Sequence, residues 1–238
     1  MKLGNYAHIS ISVRSLRESV PFYDKIGFTK VWSSKAPQPW ELLTDGSVNI
    51  HLYESYFSSP ALHYFSAAMD DKIMHLRRLG FNTELHCSKD GTRKQHNFLD
   101  PNEVSIMLMH HDGEQMPKPN GVSQSLLGTF GELSINTDNL KASLLFWDKL
   151  GFRQTMTSER PYSWSILTDG VITIGLHQTA ILSAPALSYF AANVAERLEQ
   201  LERNSIPIMH ELRNESGVIE GAILCAPDRQ LFALLQGS

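Results

Sequence analysis

The chain repeats itself. At an ungapped offset of 124 residues, His8–Gly46 lies over Glu132–Gly170, and sixteen of the 39 positions are identical. Phe22, Asp24, Lys25, Gly27, Phe28, Trp40, Leu43, Thr44, Asp45 and Gly46 are among them. Further on, Pro60-Ala61-Leu62-His63-Tyr64-Phe65 returns as Pro185-Ala186-Leu187-Ser188-Tyr189-Phe190, and Pro101–Met109 lies over Pro227–Leu235. Solenoid repeats recur every ~20–50 residues, so a period this long marks a duplicated domain instead. Between the copies, His110–Thr129 is rich in Gly, Pro, Ser, Asn and Gln and lacks apolar periodicity, which reads as a linker. The expected division is a first domain over 1–112, a linker over 113–128 and a second domain over 129–238.

Each copy divides again into two similar halves. Ile9, Ile11 and Val13 alternate as one face of a strand. Ser15-Leu16-Arg17-Glu18 then has the spacing of a capping box, and the helix it opens runs to Lys25 and Ile26 before Gly27. Pro21 argues for a kink or a later helix start. Strands are expected around Phe28–Ser33, Trp40–Thr44 and Val48–Tyr53, with Asp45-Gly46 turning the last pair. The second half predicts a strand at Leu62–Ala67, a helix at Asp70–Leu79 and strands near Asn82–His86, Gln95–Leu99 and Val104–Met109. Two copies therefore give an α+β chain of four βαβββ units.

Composition narrows the function classes. Lys and Arg total 21 against 25 Asp and Glu, a net charge of −4, which argues against a nucleic-acid binder. No apolar run approaches the ~20 residues of a membrane span, and the N-terminus lacks a secretory core, so a cytoplasmic protein is expected. Cys87 and Cys225 are too few for a disulfide framework or a thiolate cage and read as buried packing residues. Neither a nucleophile-elbow motif nor a phosphate loop occurs. Arg77-Arg78 and Arg93-Lys94 read as solvated charge pairs, and His110-His111 as exposed linker residues.

Four βαβββ units carrying His8-Ile9-Ser10-Ile11, Phe22-Tyr23-Asp24-Lys25-Ile26-Gly27-Phe28, Leu62-His63-Tyr64-Phe65 and Phe98-Leu99-Asp100-Pro101-Asn102 resemble the vicinal oxygen chelate superfamily. Phe146-Trp147-Asp148-Lys149-Leu150-Gly151-Phe152 repeats the second of these motifs. That superfamily includes glyoxalase I, extradiol dioxygenases and bleomycin-resistance proteins. The resemblance implies sheets curled around a cleft, where strands of each unit offer ligands to a divalent metal. Carried over by position, the ligands are His8, His51, His63 and Met107 in the first copy. In the second copy they are Glu132, Gly175, Ser188 and Ala233. Met107 and Ala233 stand where the family usually has a carboxylate. Two readings of the histidines stay open: ligands for Zn, Ni, Fe or Mn, or relic and structural histidines, with Met107 an apolar wall or a soft ligand. A first-copy site requires pairing within a copy, because exchanged halves would separate His8 and His51 from His63.

Aromatic residues support the other function class. Trp40 and its repeat twin Trp164 precede the Asp-Gly turns, and Tyr53 and its twin His177 end the returning strands. With Met107 they are candidate ligand-binding residues; the alternative for the tryptophans is core packing. Two functions follow from the resemblance. One is a binder of a small molecule with degenerate metal sites. The other is a metal-dependent lyase, isomerase or ring-cleaving dioxygenase using His8, His51 and His63. A monomer or weak homodimer is expected, since duplication supplies both halves of a paired domain.

Overall fold

The computed structural model describes residues 2–87, 94–111 and 117–237. Arg93 and linker residues 112–116 lie outside the described residues.

The first copy runs β1 (Tyr6–Ser12), α1 (Leu16–Lys25), β2 (Thr29–Ser34), β3 (Trp40–Thr44), β4 (Asn49–Tyr53), β5 (Ala61–Ser66), α2 (Met69–Arg78), β6 (Glu84–Cys87), β7 (Lys94–Leu99) and β8 (Ser105–His110). The second repeats the order with β9 (Thr129–Asn136), α3 (Leu140–Lys149), β10 (Arg153–Ser158), β11 (Trp164–Thr168), β12 (Thr173–His177), β13 (Ala186–Ala191), α4 (Val194–Arg203), β14 (Ile208–Arg213), β15 (Ile219–Cys225) and β16 (Leu231–Gln236). The four βαβββ units are all present. Each copy forms one eight-stranded mixed sheet, ordered β2-β3-β4-β1-β5-β8-β7-β6 in the first and β10-β11-β12-β9-β13-β16-β15-β14 in the second. The copies do not exchange strands.

Local details depart from expectation in three places. The capping box does not form: the Ser15 side chain makes no capping bond, and the Leu16 N–H donates instead to Glu54 Oε1 at 2.7 Å. Pro21 neither delays nor ends α1, which begins at Leu16. Pro21 is the sixth of its ten residues, and the helix runs through it with the loss of the one bond that an N–H there would make. Cys87 is exposed rather than buried, because it ends the edge strand β6, all four of whose residues are exposed.

By compactness the chain divides into two units that cut across the copies. The first comprises Met1–Ser10, Ser58–Lys118 and Ile135–Ser183; the second comprises Ile11–Phe57, Pro119–Ser134 and Ala184–Ser238. In the first unit, Phe81 and Phe98 of one copy pack on Phe146 of the other, with Phe81–Phe146 ring centres 5.3 Å apart. Phe146 in turn meets the fully buried Trp147, which packs on Phe152 at 4.8 Å. Asn102 Nδ2 also donates across the copies to Ser143 Oγ, at 3.2 Å.

The second unit has the twin arrangement. Phe22 and Tyr23 pack on Phe232, each with ring centres 5.9 Å away, and the Tyr23 hydroxyl donates to Asp228 at 3.0 Å. The Tyr189 hydroxyl donates to Asp45 Oδ2 at 2.8 Å. Burial first, and then the adjacent carboxylate, push Tyr23 and Tyr189 well above the usual tyrosine range. Burial first, and then the charge of Asp169, likewise push Tyr64 of the first unit well above the usual range. The repeated Thr-Asp-Gly turn thus carries a second task. Asp45 accepts from the Ser47 and Val48 amides at 2.7 and 2.8 Å, while its other oxygen holds a tyrosine of the opposite copy.

The segment joining the copies is packed within the second unit despite its lack of periodicity. Gln124 and Leu126 amides donate to Asp45 O and Ile26 O at 2.7 and 3.0 Å, and Arg197 Nη1 donates to Leu126 O at 2.8 Å. Backbone hydrogen bonds, rather than a repeating apolar face, hold it in place. It ends in Leu127-Gly128, the counterpart of Leu3-Gly4, so the repeat extends further back than His8. Both leucines are fully buried. A Cβ on Gly4 or Gly128 would fall 2.5 or 2.3 Å from the carbonyl oxygen of Phe65 or its twin Phe190.

Candidate functional site

Strand register brings His8, His63 and Met107 into one row. His8 opposes His63 across the antiparallel β1–β5 pair, and His63 lies beside Met107 across the parallel β5–β8 pair. Cross-strand partners point to the same face, so the three side chains emerge together. They are 1%, 2% and 6% exposed respectively. The two imidazole rings meet edge to face with centres 5.1 Å apart.

Alternation places Tyr6 beside His8 and Phe65 beside His63 on that face. Phe65 stacks on His63 with centres 4.5 Å apart and planes at 25°, and it also lies 5.1 Å from His8. Tyr6 closes the cluster, 5.8 Å from His8 and 5.7 Å from Phe65. His63 Nδ1 lies 3.4 Å from Ser10 Oγ, whereas its Nε2 is buried and has no hydrogen-bond partner. Desolvation lowers the His63 pKa from 6.5 to about 3. The imidazole is therefore neutral at ordinary pH, with one nitrogen able to offer a lone pair.

This shift predicts a pH dependence of stability. Unfolded His63 takes up a proton near pH 6.5, but folded His63 takes one only near pH 3. Its contribution is present in full above about pH 6.5 and is lost as pH falls towards 3. Urea unfolding between pH 6.5 and 4 should lose up to about 1.4 kcal/mol per pH unit from this group. His63→Leu should flatten the profile by that slope; an unchanged slope would mean that His63 titrates normally in the fold.

His51 belongs to the second unit and has a different setting. It stacks on Tyr53 with centres 4.0 Å apart and planes at 26°, and it meets Trp40 edge to face at 4.5 Å. Register explains the cluster: Trp40 opposes Tyr53, and Leu42 opposes both His51 and Trp32. His51 is buried, Trp40 and Tyr53 are half-buried, and Trp32 is exposed. Among the described residues, no group of three or more His, Cys, Asp or Glu side chains is gathered where it could hold a metal ion.

The second copy fills the equivalent row with Glu132, Ser188 and Ala233, which register places side by side. Ser134 Oγ lies 2.6 Å from both Glu132 Oε1 and Ser188 Oγ, so the buried carboxylate sits in a hydroxyl network. Trp164 opposes His177 across β11–β12, its indole N–H donates to Arg160 O at 3.2 Å, and Tyr162 lies 5.9 Å from the His177 ring.

No protein-family model and no curated protein matches the sequence. Solved structures do match. The architecture is similar to that of a catechol 2,3-dioxygenase (12% identity, TM-score 0.62), covering 100% of this chain and 89% of that one. It is also similar to the 2,3-dioxygenase LapB from Pseudomonas sp. KL28 (15% identity, TM-score 0.65), covering 100% and 94%. An extradiol ring-cleaving dioxygenase from Brevibacterium fuscum matches at 16% identity and TM-score 0.63, covering 98% and 71%. The chain has the fold of these dioxygenase structures. Identities this low carry the fold and no further.

The row across β1, β5 and β8 is where the sequence resemblance implies a metal centre. The first copy offers two imidazoles and a thioether there, and the second a single carboxylate. Neither row matches a two-histidine, one-carboxylate centre. Tyr6 and Ser134 lie outside the sequence motifs, and Ser10 and Phe65 stand within them with no site role assigned. Strand alternation from His8 and His63 was enough to place Tyr6, Phe65 and Ser10 on the same face.

Proposed function

We propose that this protein binds a small planar molecule on the sheet face formed by β2, β3 and β4. The observation that carries the reading is the buried His51 ring, packed between Trp40 and Tyr53 while both aromatics keep part of their surface open. Trp32 extends the same face to the edge strand. Stacking on such a wall favours a flat, unsaturated ligand, and each aromatic pair contributes ~0.5–1.5 kcal/mol beyond buried area. Trp164 and His177 form the corresponding, less aromatic pair in the second copy. The absence of a carboxylate at Met107 and Ala233 supports binding over metal-assisted chemistry.

Intrinsic tryptophan fluorescence titrated with a panel of planar aromatic compounds tests the reading. A saturable change is expected, with affinity falling about tenfold in Trp40→Leu or Tyr53→Ala. Saturable binding unaffected by either substitution would move the ligand elsewhere.

A second reading rests on the buried, unpartnered Nε2 of His63 and on the likeness to ring-cleaving dioxygenases. In it, His8 and His63 take part in holding a divalent ion that polarises a substrate oxygen. Zinc, nickel, iron or manganese bound at one per chain, and lost in His63→Ala, would favour this reading over the first.

A further inference from the structure

We propose that this protein associates with further copies of itself through charge: the basic face of α2, β6 and β7 in one chain docks on the acidic groove beside α4 and β14 of another. This goes beyond small-molecule binding and does not depend on it, since it uses neither Trp40 nor Tyr53.

The two faces are twins by duplication and opposites by charge. Helix α2 repeats as α4, and β6 and β14 are end strands of their sheets. Residues 69–99 carry six Lys and Arg against four Asp and Glu, whereas residues 194–225 carry three against six. The reversals fall at equivalent places. Counted from the repeated Pro60 and Pro185, Arg77 has Glu202 as its twin. Register makes Lys94 the twin of Glu220, since Gln95 opposes Met109 as Gly221 opposes Leu235.

In the first unit, Arg77 and Lys94 are exposed, and neither has an ion pair among the described residues. Alternation puts Lys94 on the face of β7 that carries the buried His96. Burial first, and then the Arg77 charge, hold the His96 pKa below the usual histidine range. His86 and Lys94 act in the same sense, and Asp70 acts against them. Glu84 is the other carboxylate nearby, 3.7 Å from His86.

In the second unit, the twin face opens into a groove of about 890 Å³ whose lining includes Glu202, Ile208, Met209 and Glu211. Glu202 is exposed and has no ion pair among the described residues. Glu199 and Glu211 pair with Arg203 and Arg213 at 2.9 and 2.5 Å, on open surface where such pairs are weak.

Apolar surface accompanies the charge on both sides. Met74 and Leu85 are 50% and 51% exposed beside the basic residues, and Met209 is 60% exposed in the groove. Two basic faces, or two acidic grooves, would repel one another. That disfavours the self-complementary two-fold contact in which a patch meets its own copy. A basic face against an acidic groove attracts, and charge of this kind sets partner choice and orientation.

A charge swap tests the contact, with circular dichroism to check that each variant is folded. Arg77→Glu gives the basic face the sign of the groove, and Glu202→Arg gives the groove the sign of the basic face. In sedimentation from ~1 μM to ~1 mM, the parent should associate as concentration rises. Each variant alone should associate at least ~tenfold more weakly. An equal mixture of the two should recover parental association, because both contacts between them are again of opposite sign. The Arg77→Glu/Glu202→Arg protein should recover it as well. Raising salt from ~0.1 to ~1 M shortens the Debye length from ~10 to ~3 Å and should weaken the parental contact. A parent that stays monomeric throughout, association unchanged in either variant, or a mixture no stronger than its components would each overturn the proposal.

Discussion

Replacing Trp147 with alanine is expected to lower the unfolding free energy by about 3–5 kcal/mol. Trp147 is the largest of the fully buried side chains and packs between Phe146 and Phe152. Phe146 links it to Phe81 and Phe98 of the other copy, so a cavity at 147 opens where the two copies meet inside one compact unit. The indole also acts on Asp100. Burial raises the Asp100 pKa, and the Trp147 side chain is among the groups that oppose the rise by favouring the charged form. Asp100 in turn caps the β7–β8 turn by accepting from the Asn102 and Val104 amides, both at 2.8 Å. Urea denaturation should show the loss in full. Leu145→Ala, on the exposed side of the same helix, should stay within ~0.5 kcal/mol of the parent. A Trp147→Ala loss below ~1 kcal/mol would mean that the aromatic cluster does not hold the unit together.

Gly46→Ala is the second large effect, and Gly80→Ala is its control. The two glycines share nearly the same left-handed backbone, with φ of 89° and 88°. For an alanine that conformation costs ~1–2 kcal/mol. Their surroundings differ. A Cβ at 80 would meet nothing within 4 Å, whereas at 46 it would fall 2.1 Å from the carbonyl oxygen of Val122. The obstruction is backbone, and that backbone is tied down because the Gly121 amide donates to Gly46 O at 2.9 Å. Gly80→Ala should therefore cost ~1–2 kcal/mol, and Gly46→Ala ~2–5 kcal/mol once the overpacking is added. Equal losses in thermal or urea unfolding would show that the 117–128 segment yields without resistance.

How far these features could be read in the sequence depended on whether they were local. Gly27, Gly80 and Gly151, all at positive φ, punctuate three of the four helices, and alternating apolar residues marked the strands, so the four βαβββ units were legible. Element ends slipped by a residue or two, as at Ala61–Ser66 and Met69–Arg78, because the hydrogen bonds that close an element are not encoded at one position. Ser15 shows the limit of a motif. The spacing was right for a capping box, yet Glu54, distant in sequence, supplied the acceptor. At the site, positions of His8, His63 and Met107 followed from the repeat, and their adjacency followed from register. The enclosure of His63 by Phe65, and the desolvation that keeps it neutral, depend on packing that the linear pattern does not contain. Likeness between the copies also said nothing of contact between them. Tyr189 bonding to Asp45 and Tyr23 to Asp228 join residues 144 and 205 positions apart.

The crosswise make-up of the compact units bears on what duplication achieved. A cut between the copies would pass through both units, since each draws segments from either side of residue 118. Half of this chain therefore holds no complete body of its own and would have to find a second half-chain in solution. Covalent joining turns that encounter into an intramolecular one, at an effective concentration fixed by the tether. Assembly becomes insensitive to dilution, and each copy is free to accumulate differences that two identical chains would be forced to share. The divergence of His8, His63 and Met107 from Glu132, Ser188 and Ala233 is of this kind.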